Sequence, residues 1–371
     1  MSIAFETVVG TLGSGSRGTV LVTGGAGYIG SLLVRRLLDR GYRVRVLDIL
    51  LYGDRAIRGV LEHPALELVV ADFRHREAVE AALTGVDAVI HLGGIVGDPA
   101  CALDPEFTVA INEEATRTVA DACAREGVER LIFASSCSVY GANDELLHET
   151  SALHPVSLYA RTKIASEQIL LDHAGHRCPS VILRFATIYG YSHRPRFDLV
   201  VNVLTAKAVT EGRITVHGGD QWRPFVHVDD LARALVAALE APLVAVAGQV
   251  FNVGSNGENY RLSEVADIVQ ELIPTTEVVI DANSADRRNY RVNFTKIADT
   301  LGFRPAYDLR GGILELKAAL EQGLAAHWRD ELFDNHRSLR STLAQDCASI
   351  RHAANPTFRD GGTIGLSAAA D

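Results

Sequence analysis

The chain has 371 residues with 46 Asp and Glu against 36 Lys and Arg, a formal net charge of -10, 47% hydrophobic residues and 22% charged ones. That is a globular balance on a chain too long for one ordinary core, so two joined lobes are expected. An acidic chain without a long basic run excludes nucleic acid as a partner, because neutralising a phosphate backbone needs clustered Lys and Arg.

Five cysteines, Cys101, Cys123, Cys137, Cys178 and Cys347, are odd in number and contain no CxxC pair. They argue against a disulfide framework or a zinc site, so no metal is expected and reduced thiols in a cytoplasmic protein fit best. No apolar run is long enough to span a bilayer, and Met1 to Arg17 lacks the basic-then-apolar order of a secretion signal, so no membrane association is expected.

Residues 1–17 are rich in Gly and Ser near their end and read as a flexible leader. Thr19–Thr23 is a short apolar run that stops at glycines, the pattern of a buried strand, and Ile29, Leu32, Leu33, Leu37 and Leu38 then repeat with helical spacing. The alternation continues: strands at 44–48, 66–71, 88–92, 130–134 and 180–184, with helices near 77–83, 108–126 and 158–173. Repeated strand–helix units imply an α/β fold, a Rossmann-type doubly wound parallel sheet. After Gly190 the rhythm breaks into shorter pieces. The expected division is a Rossmann-type domain over 18–190, with 226–255 returning to it, a smaller C-terminal α/β lobe over 191–328, and a mobile tail over 329–371.

Thr23-Gly24-Gly25-Ala26-Gly27-Tyr28-Ile29-Gly30 joins the first strand to the first helix. A diphosphate reaching backbone N–H groups at a helix N-terminus leaves no room for a β-carbon, which explains Gly24, Gly27 and Gly30. Glycines also serve turns and caps; the strand before and the helix after are what give this loop its meaning. Asp48 ends the second strand, where a carboxylate accepts hydrogen bonds from the adenosine ribose and repels a 2′-phosphate, favouring NAD over NADP. An Asp there also caps turns. Asp72 and Phe73, after the third strand, are placed to meet the adenine.

Tyr159 and Lys163 stand four apart, on one face of a predicted helix. A phenol has an ordinary pKa near 10 and needs a nearby cation to act as a base at neutral pH. The pair alone is a common coincidence. Ser135-Ser136-Cys137-Ser138-Val139-Tyr140-Gly141, at the carboxyl end of the fifth strand, supplies a hydroxyl at the edge where such sheets bind ligands. His91 and Cys101 read as buried structural groups, and strand alternation turns Cys137 away from the site.

With these pieces in place, the chain resembles the extended short-chain dehydrogenase/reductase family, the UDP-glucose 4-epimerase-like nucleotide-sugar epimerases and dehydratases, over about 19–320. The matching segments are TGGAGYIG, Asp48, HLGG at 91–94, Asn112, SSCSVYG, YARTK, LRFATIYG and VHVDDLARAL. The resemblance implies a catalytic set of Ser136, Tyr159 and Lys163. It implies NAD contacts from Gly24, Gly27, Tyr28, Ile29, Gly30, Asp48, Asp72, Phe73, Leu92, Gly93, Tyr159 and Lys163. Nucleotide-sugar contacts are implied for Ser136, Ser138, Thr187, Arg196, Arg223 and Arg288, and a homodimer through second apolar faces of the helices near 108–126 and 158–173. The two arginines Arg223 and Arg288 suit bidentate phosphate contacts, although surface Arg is also common.

Departures matter too. Cys137 and Ser138 follow Ser136 where family dehydratases and decarboxylases place acids, which disfavours dehydration. Thr187 replaces a common Asn, Pro224 a common Asp, and the stretch 192–198 is unusually basic. The expected function is NAD-dependent epimerisation of a nucleotide-activated sugar, at C4 through a transient 4-keto sugar. The alternatives are a keto-sugar reductase or sugar dehydrogenase that consumes the cofactor, and a non-catalytic dinucleotide-sensing protein.

Overall fold

The computed structural model describes residues 17–173, 178–283, 286 and 288–345. Seven strands form one parallel sheet in the order Val250–Val253, Ser180–Phe185, Arg130–Ser136, Ala88–His91, Thr19–Thr23, Arg43–Asp48, Leu66–Val70. Chain order reverses on either side of Thr19–Thr23, and a ligand crevice opens at such a switch point, beyond the carboxyl ends of the strands. The register brings Thr23 level with Leu47 and His91.

Strand alternation divides the core. Val20, Val22, Val44, Val46 and Ile90 face the helices Gly30–Asp39 and Val228–Glu240. Leu21, Leu47, Val89, Leu131 and Phe133 face Arg76–Leu83, Ala115–Glu126 and Leu158–His173. Both faces of a parallel sheet are covered, so its central strands read as near-continuous hydrophobic runs. Burying each such Val, Leu or Ile contributes about 1.5–3 kcal/mol against its exposed state.

The predicted helix over 108–126 is interrupted: Pro105–Val109 and Ala115–Glu126 are joined by a π-helical turn, Ala110–Glu114. That turn aims Asn112 inward. Its Oδ1 accepts from the Ile95 N–H at 2.8 Å, and its Nδ2 donates to the Ile95 carbonyl at 2.9 Å and to Thr162 Oγ1 at 3.2 Å, tying the 93–97 loop to the helix that carries Tyr159. A π-turn that redirects one side chain to a functional region is a familiar use of the irregularity.

The smaller lobe holds a three-stranded sheet of Thr187–Tyr189, Trp222–His227 and Asn259–Arg261. Helices Val200–Glu211, Leu262–Leu272 and Leu309–Glu321 pack on it around Tyr189, Phe225 and Ile313.

Residues 329–345 differ from the expected mobile tail. Asn335–Gln345 is a helix, and its fully buried Leu339 packs with Ile95, Ala100 and Cys101 of the larger domain. Leu339 and Leu343 stand one helical turn apart on that face, enough apolar surface to dock a polar-looking segment. The rest of the expected tail, 346–371, and residues 1–16 of the expected leader lie outside the described residues.

The homodimer expectation required second apolar faces. The exposed positions of Ala115–Glu126 and Leu158–His173 are instead Arg117, Arg125, Glu126, Arg161, Gln168 and Asp172, and none of the exposed large hydrophobic residues among the described ones lies on these helices.

Candidate active site

One cleft at the carboxyl edge of the sheet gathers most of the residues that the sequence singles out. Its walls include Gly24, Gly27, Tyr28, Ile29, Gly30, Asp48, Phe73, Leu92, Gly93, Ser136, Ser138, Tyr159, Lys163, Thr187, Arg196 and Arg288. Gly24 has φ +70°, and a β-carbon on it would stand 2.8 Å from the backbone of Gly93. One on Gly30 would stand 2.5 Å from the Gly24 carbonyl. The loop is therefore folded back on itself and against the 92–94 segment, at the N-terminus of Gly30–Asp39, the arrangement that presents backbone donors to a diphosphate.

Asp48 accepts the backbone N–H of Ala26 at 3.0 Å and that of Leu50 at 2.8 Å. Burial raises its pKa, and the two N–H donors oppose the rise. Leu50, with φ 59°, is the one non-glycine residue with positive φ among the described residues, and its strained turn sits in the lip beside this carboxylate. Strain of this kind costs about 1–3 kcal/mol and persists where the surroundings impose it.

Tyr159 and Lys163 project from one face of Leu158–His173 toward the end of Arg130–Ser136. The Lys163 ammonium donates to the Ala134 carbonyl at 2.8 Å and lies 4.6 Å from the Phe133 ring centroid and 5.9 Å from that of Tyr159. Burial lowers Lys163 to about 8. Burial also pushes the Tyr159 phenol above its ordinary value, the buried Cys101 adds to the rise, and a hydrogen bond with Ser136 works against it. Thus the expected depression of the phenol is not achieved by Lys163 alone. The Ser136 hydroxyl accepts the Ser138 N–H at 3.1 Å, and Ser138 Oγ is buried with no hydrogen-bond partner among the described residues.

Two predicted site residues are not brought to the cleft. Asp72 turns to Arg74, accepting its Nε at 2.8 Å and its backbone N–H at 2.8 Å; an Asp two residues before an N–H donor closes its own turn more easily than it reaches across to an adenine. Arg223 is buried away from the cleft walls. It pairs with Asp286 at 2.9 Å, donates to the Trp222 carbonyl at 2.7 Å and also to the Arg288 carbonyl. Arg288, which does line the cleft, shares the same carboxylate at 2.7 Å. Burial opposes ionisation of Asp286, but Arg288 and Arg223 outweigh it and hold the carboxyl below its usual range. Arg223 therefore braces the segment that presents Arg288.

His91 lies between Thr23 Oγ1 at 2.6 Å and Thr116 Oγ1 at 3.2 Å; burial, then the Lys163 charge, pull it down to about 3, so it is a neutral structural group. Cys101 and Cys137 are fully buried thiols, each donating to a backbone carbonyl at 3.3 Å.

Among the cleft residues that the sequence does not single out are Tyr52, Arg194 and Asn335. The basic stretch 192–198 was a signal for the second of them. Asn335 lies in a segment whose polarity hid its contact with the larger domain.

The sequence profile of the NAD dependent epimerase/dehydratase family matches residues 20–254. A UDP-glucose 4-epimerase of Azospirillum brasilense is 30% identical over 329 residues, covering 82% of this chain and 92% of that protein. UDP-glucuronic acid decarboxylase 1 of Arabidopsis thaliana is 31% identical over 310 residues, 79% of this chain and 68% of that one. Among solved structures, the UDP-glucose 4-epimerase of Thermus thermophilus in complex with NAD superposes with a TM-score of 0.71 at 27% identity, covering 81% of this chain and 99% of the other.

The sheet and the glycine-lined cleft define a dinucleotide-binding α/β enzyme. The chain belongs to the NAD dependent epimerase/dehydratase family and uses NAD. Its cleft fits that cofactor: a folded glycine loop at a helix N-terminus, and a buried carboxylate at the end of the second strand. Among the described residues no group of three or more His, Cys, Asp or Glu could hold a metal ion, and no helix is long and apolar enough to cross a membrane.

Proposed function

We propose that the protein interconverts C4 epimers of a nucleotide-activated sugar, an isomerase of carbohydrate metabolism. The observation that carries this reading is the composition of the cleft: Ser136, Tyr159 and Lys163 converge at one end, and Asp48 is the one carboxylate among the cleft walls, at the other. A dehydration needs an acid beside the departing hydroxyl; Asp98, the carboxylate whose charge bears on Tyr159, is not among the cleft walls and lies 3.6 Å from Arg288 Nη1.

When bound, NAD supplies a reversible hydride acceptor and a positive charge beside the phenol. Gly24, Gly27, Tyr28, Ile29, Gly30, Leu92 and Gly93 would cradle it, with Asp48 on the adenosine ribose and Phe73 packing near the adenine. In the sugar site, Tyr159 Oη takes the proton from the 4-hydroxyl and later returns it. Ser136 shares the hydrogen bond to that oxygen, and Lys163 stabilises the phenolate. Ser138, Thr187, Arg196 and Arg288 line the remainder, where Arg288 suits the substrate diphosphate. Such positioned donors and cations act most strongly in a cleft that excludes water. A homodimer through Ala115–Glu126 and Leu158–His173 would meet through charged outer faces; light scattering reads its mass directly.

Substrate deuterated at C4 tests the reaction. UDP-glucose and UDP-glucuronic acid are the first candidates, since relatives carry those names. Epimer that keeps the label supports the mechanism, because hydride leaves and returns in one site. Label in free reduced cofactor establishes the reductase or dehydrogenase reading instead, and label lost to water establishes proton abstraction at carbon.

A further inference from the structure

Three arginines line the cleft: Arg194, Arg196 and Arg288. Two are neutralised. Arg196 pairs with Asp198 through two donors, Nε at 3.0 Å and Nη2 at 2.5 Å, and Arg288 pairs with Asp286 at 2.8 and 2.7 Å. Arg194 differs. It is 5% exposed, its Nη1 donates to Asn335 Oδ1 at 2.7 Å, and its Nε and Nη2 are buried with no hydrogen-bond partner among the described residues. Its guanidinium lies 3.8 Å from the centroid of the Tyr52 ring. The charges of Asp198 and Asp334 bear on Arg194, but its Nε and Nη2 remain without an acceptor; buried donors left unmet are costly, and in a cleft they suit an anionic ligand.

The position says which anion. Tyr52 belongs to the lip that follows Asp48. Asn335 Nδ2 donates at 3.4 Å to the carbonyl of Val96, in the lip that follows Ala88–His91. The strands behind these two lips flank Thr19–Thr23 in the sheet, so Arg194 bridges the crevice above the glycine loop, where a dinucleotide places its diphosphate. The charge of Arg194 also bears on Asp48 and Tyr52.

The partner that orients Arg194 comes from the far end of the chain. Phe333 packs with Phe197 and Trp328, and its carbonyl accepts the Phe197 N–H at 2.8 Å. The chain then crosses to the larger domain, where Leu339 docks beside Ile95 and Cys101. Residues 330–345 thus run over the cleft from one lobe to the other.

We infer that Arg194 is a cationic clamp on the diphosphate of bound NAD, positioned by Asn335, and that segment 330–345 is a strap whose docking retains the cofactor. The inference rests on NAD binding and not on which sugar is epimerised, so its test reads binding alone. Purified full-length protein is stripped of nucleotide and titrated calorimetrically with NAD, ADP-ribose and UDP. Arg194→Met weakens NAD and ADP-ribose by a common factor of about 10- to 100-fold, the worth of a charge-assisted hydrogen bond, and leaves UDP unchanged. Arg194→Lys recovers part of the loss. Asn335→Asp is the second variant: it places a carboxylate on Nη1, neutralising Arg194 without removing it. Its nucleotide-free melting temperature holds or rises while its affinity for NAD and ADP-ribose falls about fivefold or more. A role in packing alone predicts no loss of nucleotide affinity in Asn335→Asp, and that result overturns the inference. Unchanged NAD binding with weakened UDP binding in Arg194→Met overturns it as well, by assigning the cation to the sugar nucleotide.

Discussion

Behind the candidate active site lies an ion pair that allows a quantitative test. Glu167, one turn beyond Lys163 on the same helix, accepts from Arg184 Nε at 3.0 Å and Nη2 at 2.7 Å, and from the hydroxyl of Ser135. Both side chains are about 5% exposed. Arg184 Nη1 donates further, to Tyr140 Oη and the Glu149 carbonyl, each at 3.1 Å. Glu167→Ala removes the carboxylate and leaves a buried guanidinium with two donors unmet, a loss of about 3–5 kcal/mol. At roughly 2–4 °C per kcal/mol for a chain of this order of size, the melting temperature falls by about 6–20 °C. Glu167→Leu with Arg184→Met replaces both charges by apolar groups of similar volume and recovers most of the loss, since a well-packed apolar pair often matches a buried ion pair. The assay is chemical denaturation of wild type, Glu167→Ala, the singles Glu167→Leu and Arg184→Met, and their double. The reasoning is refuted if Glu167→Ala costs less than about 1 kcal/mol, or if the double variant shows the sum of the two singles.

Three further outcomes are expected. Tyr159→Phe removes only the phenolic oxygen, so folding and NAD binding persist while turnover falls by about 10²–10⁴; NAD titration beside a turnover assay checks both halves. Asp48→Ala weakens NAD by about 10- to 100-fold through lost charged hydrogen bonds and narrows the preference over NADP; an unchanged NAD-to-NADP affinity ratio refutes the ribose assignment. Glu258 is pushed from its ordinary 4.5 up to about 7 by burial. The folded state then holds the proton more tightly than the unfolded chain, so stability declines as pH rises from 4.5 through 7 and stays lower above. Glu258→Gln therefore raises the melting temperature relative to wild type above pH 7 and confers no gain near pH 4.5; a difference independent of pH disproves the shift.

The sequence read well wherever a local pattern carries the physics. A strand buried on both faces must be apolar throughout, so Val20–Val22 and Val89–Ile90 announce themselves within a few residues. Tyr159 and Lys163 are one helical turn apart in any helix, and Gly24 and Gly30 follow from backbone segments that touch where the chain turns back. Other expectations turned on reach. Asp72 has the composition of a ligand residue but finds Arg74 two positions away first. The helices Ala115–Glu126 and Leu158–His173 bury one face on the sheet and each other, and leave polar residues outward.

The sequence by itself determined the doubly wound sheet, the glycine loop and the Tyr159–Lys163 spacing, because each is set by periodicity or steric need over fewer than about twenty residues. Only the tertiary structure decided which arginine faces the cleft. Arg223 and Arg288 are equally eligible as phosphate ligands in sequence, yet one Asp286 holds both and directs only Arg288 to the cleft. The meeting of Tyr52, Arg194 and Asn335 is likewise a product of how the lobes and the C-terminal helix dock. Residues so far apart share no local pattern, and their contact is written in packing and charge compensation across the whole molecule.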